Sequence, residues 1–127
     1  MALTEQEKAV RRIKKKTIEA MKELDTYKPQ FDATITTYSI MRYQYDLAYR
    51  DFLESGCRIT EEYTNKAGFT NIRKTATYLA LEMLRGGLLE YENTLGLTPA
   101  GLKRINKSAA IAKGNSKLAE ALDRYGK

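Results

Sequence analysis

Residues 30–56 read QFDATITTYSIMRYQYDLAYRDFLESG, and the spacing within them decides the fold. Phe31, Ile35, Tyr38, Met41, Tyr45, Ala48 and Phe52 recur in steps of three and four, the period of one helix face. The stripe predicts one unbroken helix from about Gln30 to Ser55, about 26 residues and roughly 39 Å long, with Gly56 as its C-terminal stop. Ile40, Tyr43 and Leu47 project from the opposite side. A helix that is apolar on two faces is usually buried on two sides. One face meets the chain's own core. The other is either an oligomer interface or is wrapped by the rest of a small bundle, and the sequence leaves both open.

Upstream, Thr4 and Glu7 have capping-box spacing and open a helix that the pattern carries to Thr26. Val10, Ile13, Thr17, Met21 and Leu24 fall on one side of it. Lys8, Arg11, Lys15 and Lys22 gather on the other, with Arg12 beside them, and Glu19 is spaced to pair with Lys15 and Lys22. Pro29 closes the connection that follows. Downstream, residues 56–74 lose the helical period. Arg58 to Tyr63 and the turn-forming Asn65-Lys66-Ala67-Gly68 predict a short β-hairpin or an extended loop.

A third helix is expected from Asn71–Thr75 to Leu95, on a stripe of Leu81, Leu84, Leu88, Tyr91 and Leu95 flanked by Ala80 and Met83. Gly86-Gly87 inside it costs about 1 kcal/mol per glycine relative to alanine, which suits a close helix approach, a bend or a tolerated defect. Thr98-Pro99 then signals a short helix through about Asn106. Gly114-Asn115-Ser116 reads as a break, with Ser116 capping a final helix, Lys117 to Tyr125. The resulting expectation is all-α: a long antiparallel helical hairpin, a basic N-terminal helix, a loop or short β-hairpin insert, and short C-terminal helices. Residues 1–106 form the domain and 107–127 a basic tail, weakly ordered unless it docks.

Composition narrows the function. The 127 residues carry 22 Lys plus Arg against 16 Asp plus Glu, a net charge of +6, and 43% are hydrophobic, as in one globular domain. The charge is uneven: residues 1–30 carry +3, residues 31–97 carry −2 and residues 98–127 carry +5. Positive ends suit a polyanionic partner. There is no His, which removes His-based catalysis and metal ligation. The single Cys57 has no base beside it and no partner for an intramolecular disulfide, so a reducing compartment is expected. Glu61-Glu62 and Glu90/Glu92 read as surface acids, and no metal, cofactor or enzyme activity is expected. The best apolar run, Tyr78 to Leu89, is broken by Glu82 and Arg85, and the first residues do not read as a signal peptide; no membrane is expected as a partner.

Leu95-Gly96-Leu97-Thr98-Pro99-Ala100-Gly101-Leu102-Lys103-Arg104-Ile105 resembles the C-terminal signature of bacteriophage terminase small subunits, in the branch common in tailed phages of Gram-positive hosts. Tyr63-Thr64-Asn65-Lys66-Ala67-Gly68-Phe69-Thr70-Asn71-Ile72-Arg73-Lys74 is similar to that branch's linker, and the order of elements matches over roughly residues 27–106. Ile72 stands where Pro is common, Thr75-Ala76 where His-Pro is common, and Gly101-Leu102 where Ser-Arg-like residues often occur. The resemblance implies a non-enzymatic packaging component in the host cytoplasm. Its partners would be double-stranded viral DNA, the large ATPase/nuclease subunit and further copies of itself, with a ring among the arrangements.

Phosphate contacts are assigned to Arg11, Arg12, Lys14, Lys15 and Lys16 of the first helix and to Lys103, Arg104 and Lys107 of the Thr-Pro helix. The plainer readings beside these are a solvated helix face and charges that cap a helix end. The oligomer contact is assigned to Ile40, Tyr43 and Leu47. The alternative function is a helical phage transcription regulator or other DNA-associated protein. It needs a compact helix-turn-helix, for which only the third helix and the Thr-Pro helix are joined closely enough.

Overall fold

A computed structural model describes residues 2–125, apart from the side chain of Ser116. Helix α1 (Glu5–Glu23), a 3-10 turn (Pro29–Phe31), α2 (Asp32–Glu54), strands β1 (Thr60–Thr64) and β2 (Thr70–Lys74), α3 (Ala76–Leu95) and α4 (Pro99–Tyr125) follow one another. The architecture is all-α, built on the α2–α3 hairpin, with a two-stranded antiparallel ribbon as its insert.

The capping box of α1 forms in both directions. Thr4 Oγ1 accepts the Glu7 backbone N–H at 3.1 Å, and the Thr4 N–H donates to Glu7 Oε2 at 3.3 Å. The helix ends three residues before the expected Thr26. Asp25 turns left-handed (φ 59°), and the Thr26 N–H closes on the Met21 carbonyl at 2.8 Å. After the turn that Pro29 opens, α2 runs to Glu54. Gly56 (φ 84°) and Cys57 (φ 61°) then end it, with the Cys57 N–H donating to the Phe52 carbonyl.

The core sits where α1 ends, α2 begins and α3 ends, and is made by Met21, Ile35, Tyr38, Leu88 and Leu95. Tyr38 places its hydroxyl 3.1 Å from Glu92 Oε2, to which it donates. Burial, reinforced by the Glu92 charge, pushes that hydroxyl's pKa up to about 12. The two glycines of α3 differ. A Cβ on Gly87 would lie 2.5 Å from Met41 Cε, so this glycine serves the close α2–α3 approach. A Cβ on Gly86 would meet nothing within 4 Å. Ala80 and Met83, expected to flank the buried stripe, face solvent instead, and Met83 is 78% exposed.

The ribbon is closed by Asn65, whose Oδ1 accepts the N–H groups of Ala67 and Phe69, both at 3.0 Å, while Gly68 takes φ 87°. Thr75, in the altered linker, ties the ribbon to α3. Its hydroxyl accepts the Tyr78 N–H and donates to the Arg58 carbonyl, and its own N–H donates to the Ile59 carbonyl. Lys74 Nζ binds Glu82 of α3 at 3.0 Å, a second tie.

The C-terminal region departs from expectation. Instead of two short helices with a break at Gly114-Asn115-Ser116, α4 is continuous over 27 residues. The run Ser108-Ala109-Ala110-Ile111-Ala112-Lys113 is rich in helix formers, and one exposed glycine costs only about 1 kcal/mol, too little to stop a helix already under way. The expected cap, Ser116, has its side chain outside the described set. The 106/107 boundary falls inside α4, just after its last half-buried side chain, Ile105; Gly126 and Lys127 lie outside the described residues.

Candidate nucleic-acid interface

Helix α1 lies along α2, and its basic residues therefore depend on how the two helices meet. Val10 and Arg11 line an open groove of about 580 Å³ with Ile40, Tyr43 and Leu47 of α2, between Glu7 and Lys14. On the other flank of α1, Arg12, Ile13 and Lys16 line a smaller cleft with Tyr43, Asp46, Leu47 and Arg50. Tyr43 and Leu47 border both clefts and are half-buried, so α1 of the same chain takes up part of the second apolar face of α2. Ile40 remains 41% exposed.

The predicted phosphate contacts divide by what they touch. Lys14 Nζ pairs with Asp32 Oδ1 at 2.8 Å and is the most sheltered of the group. It clamps α1 to the start of α2. Arg11, Arg12, Lys15 and Lys16 are exposed, and among the described residues no ion pair engages them. The pairing proposed between Lys15 and Glu19 is absent from those pairs; Lys8 with Glu5, at 3.5 Å, is the pair within α1. Arg50, from the net-negative middle of the chain, joins Arg12 and Lys16 at their cleft. Sequence reasoning missed it because Arg50 and α1 are brought together only by helix packing.

The second cluster sits at the α3–α4 corner. Gly96 adopts φ 75°, where a Cβ would also lie 2.7 Å from Ile105, so the short Gly96-Leu97-Thr98 turn needs glycine. Thr98 caps α4 by accepting the Gly101 N–H at 3.0 Å, and its hydroxyl also bonds the Asn93 side chain. Gly101 presses against the Asn93 carbonyl, which a Cβ there would strike. Arg104 donates to that same carbonyl at 2.9 Å, turning part of its guanidinium back into the corner. Lys103 and Lys107 stay exposed with no ion pair among the described residues. Because α1 packs on α2 and α4 on α3, the two basic clusters occupy different helices of the bundle.

The corner residues Leu95 to Ile105 and the ribbon residues Tyr63 to Lys74 both lie within a segment, residues 6–110, that matches the family described as phage terminase, small subunit. The chain is a member of the phage terminase small-subunit family. No curated protein and no solved structure matches it. The terminase match takes in α1, the α2–α3 hairpin, the ribbon and the first part of α4, and stops within α4 at residue 110. Among the described residues no cluster of His, Cys, Asp and Glu is suited to a metal ion, and no helix is long and apolar enough to cross a membrane.

Proposed function

We propose that this small terminase subunit binds double-stranded viral DNA in the host cytoplasm, assembles into a homo-oligomer, and regulates a large subunit that does the cutting and ATP hydrolysis. The observation that carries the DNA reading is the row of exposed, unpaired cations on α1: Arg11, Arg12, Lys15 and Lys16, extended by Arg50 at the adjoining cleft. Lys103 and Lys107 supply a second phosphate-binding patch. Lys14 and Arg104 contribute charge while serving the fold. Phosphate contacts of this kind hold the protein on the duplex without reading its sequence.

The test is a titration of labelled duplex DNA at rising salt. Each phosphate neutralised adds about 0.9 to the slope of log affinity against log salt. Binding by the wild type is expected to weaken steeply, and replacing Arg12, Lys15 and Lys16 by Ala to flatten the slope by about two to three. A flat wild-type titration overturns the DNA reading.

Assembly is read from the exposed Ile40 side of the α1–α2 groove, where a second copy would extend the apolar floor formed with Val10, Tyr43 and Leu47. Charged replacements at Tyr43 or Leu47 would disturb α1 packing as well, so Ile40→Asp is the cleaner probe. A lower solution mass for Ile40→Asp supports this face as a subunit contact, and an unchanged oligomer removes it.

A further inference from the structure

Beyond the Ile40 groove, two helix faces carry exposed apolar side chains. The first is on α3, where Leu79, Met83, Gly86 and Glu90 recur in steps of four, three and four, with Leu89 at the edge. Leu79 is 49%, Met83 78% and Leu89 54% exposed, and no atom lies near the place of a Gly86 Cβ. The second is on α4, where Ile111, Leu118, Leu122 and Tyr125 share one face and all are more than half exposed. Small residues, Ala110, Gly114 and Ala121, border that face, and every described side chain from Asn106 to Tyr125 is exposed. A helix of that length, unpacked along its apolar stripe, lacks the tertiary contacts from which most helical stability comes.

We infer that the distal half of α4 docks on the outer face of α3 in a second copy of the chain, Ile111, Leu118 and Leu122 packing over Leu79, Met83 and Gly86. This rests on the homo-oligomer reading and adds to it a contact separate from the Ile40 face. Its own chain does not make it: α4 is continuous from Pro99 to Tyr125, and its described side chains from Asn106 on are all exposed. Charge selects among the surfaces available. The distal part of α4, from Asn106 to Tyr125, carries +2, whereas α3 carries −2. The other apolar groove is bordered by α1, which carries +3 and would repel the incoming helix. Glu90 ends the α3 stripe and is placed to meet the lysines of α4. The glycine at 86 lets a second helix come close on the outside, as Gly87 does for Met41 on the inside. A contact between two different patches is head-to-tail, so it propagates from copy to copy and closes into a ring when the rotation allows.

The experiment uses the full chain with Cys57→Ser, so that introduced thiols stand alone. Met83→Cys and Leu118→Cys, both at exposed positions, are prepared separately, mixed and oxidised. Mixed disulfide dimers are expected, together with a ladder of higher multimers from the double variant. In parallel, Leu118→Asp with Leu122→Asp, and separately Glu90→Lys, should each weaken association by at least about tenfold with the circular dichroism of the helical body retained. Disulfides formed only between two Leu118→Cys chains would overturn the proposal in favour of α4 pairing with α4. An oligomer whose mass ignores Leu118→Asp overturns this contact while leaving the homo-oligomer reading intact. A wild type that stays monomeric at every concentration removes both.

Discussion

Between Pro99 and Ile105, α4 is wedged into the end of α3: Thr98 caps it, Gly101 abuts the Asn93 carbonyl and Ile105 lies against Gly96. From Asn106 to Tyr125 the same helix shows every described side chain to solvent. The first part is a helix capped by Thr98 and packed into its corner. The second is helical because its alanines, lysines and leucines favour that state and it inherits a nucleus from the first. One continuous element thus joins a region governed by packing to a region governed by propensity.

Glycine substitutions would break this comparison most sharply. Gly101→Ala forces a methyl against a backbone carbonyl that cannot move aside as a side-chain tip could, and is expected to destabilise the fold by about 1–3 kcal/mol. Gly114→Ala meets no atom, and is expected to strengthen the distal helix by up to about 1 kcal/mol without changing the melting of the body. Thermal unfolding reports the first effect and amide hydrogen exchange over residues 106–125 the second. Equal responses at the two sites would show that α4 is a single cooperative unit.

A smaller effect belongs to the packed end alone. Tyr38 holds its proton to a pKa of about 12, against an ordinary 10, because it is buried beside Glu92. The folded state therefore binds the proton more tightly than the unfolded chain. The stability this contributes is complete below pH 10 and is lost as pH rises through about 12. Absorbance titration should show a late-ionising tyrosine, and Tyr38→Phe should abolish that late phase.

Much of this was legible beforehand. The three- and four-residue steps from Phe31 to Phe52, the Thr4/Glu7 capping box, the Asn65–Gly68 turn and the Thr98-Pro99 start are local signals, and each is found where it was read. Local signals failed where the outcome rested on competition. Gly114-Asn115-Ser116 looked like a break, but a weak breaker loses to the helix formers around it. Asp25 was read as helical and instead took the left-handed turn that releases the chain toward α2. Among the candidate site residues, charge was visible while its use was not. Lys14 is committed to Asp32, Arg104 turns toward Asn93, and Arg50 arrives from another helix.

The sequence by itself determined the helical class, the element order, the caps and the absence of histidine, because each depends on residue type or on spacing along one chain. Only the tertiary structure decided which of two adjacent glycines meets Met41, how far α1 covers Tyr43 and Leu47, and which cations remain exposed. Those outcomes depend on distances between segments remote in sequence, and a helical period carries no information about which neighbour its face will meet.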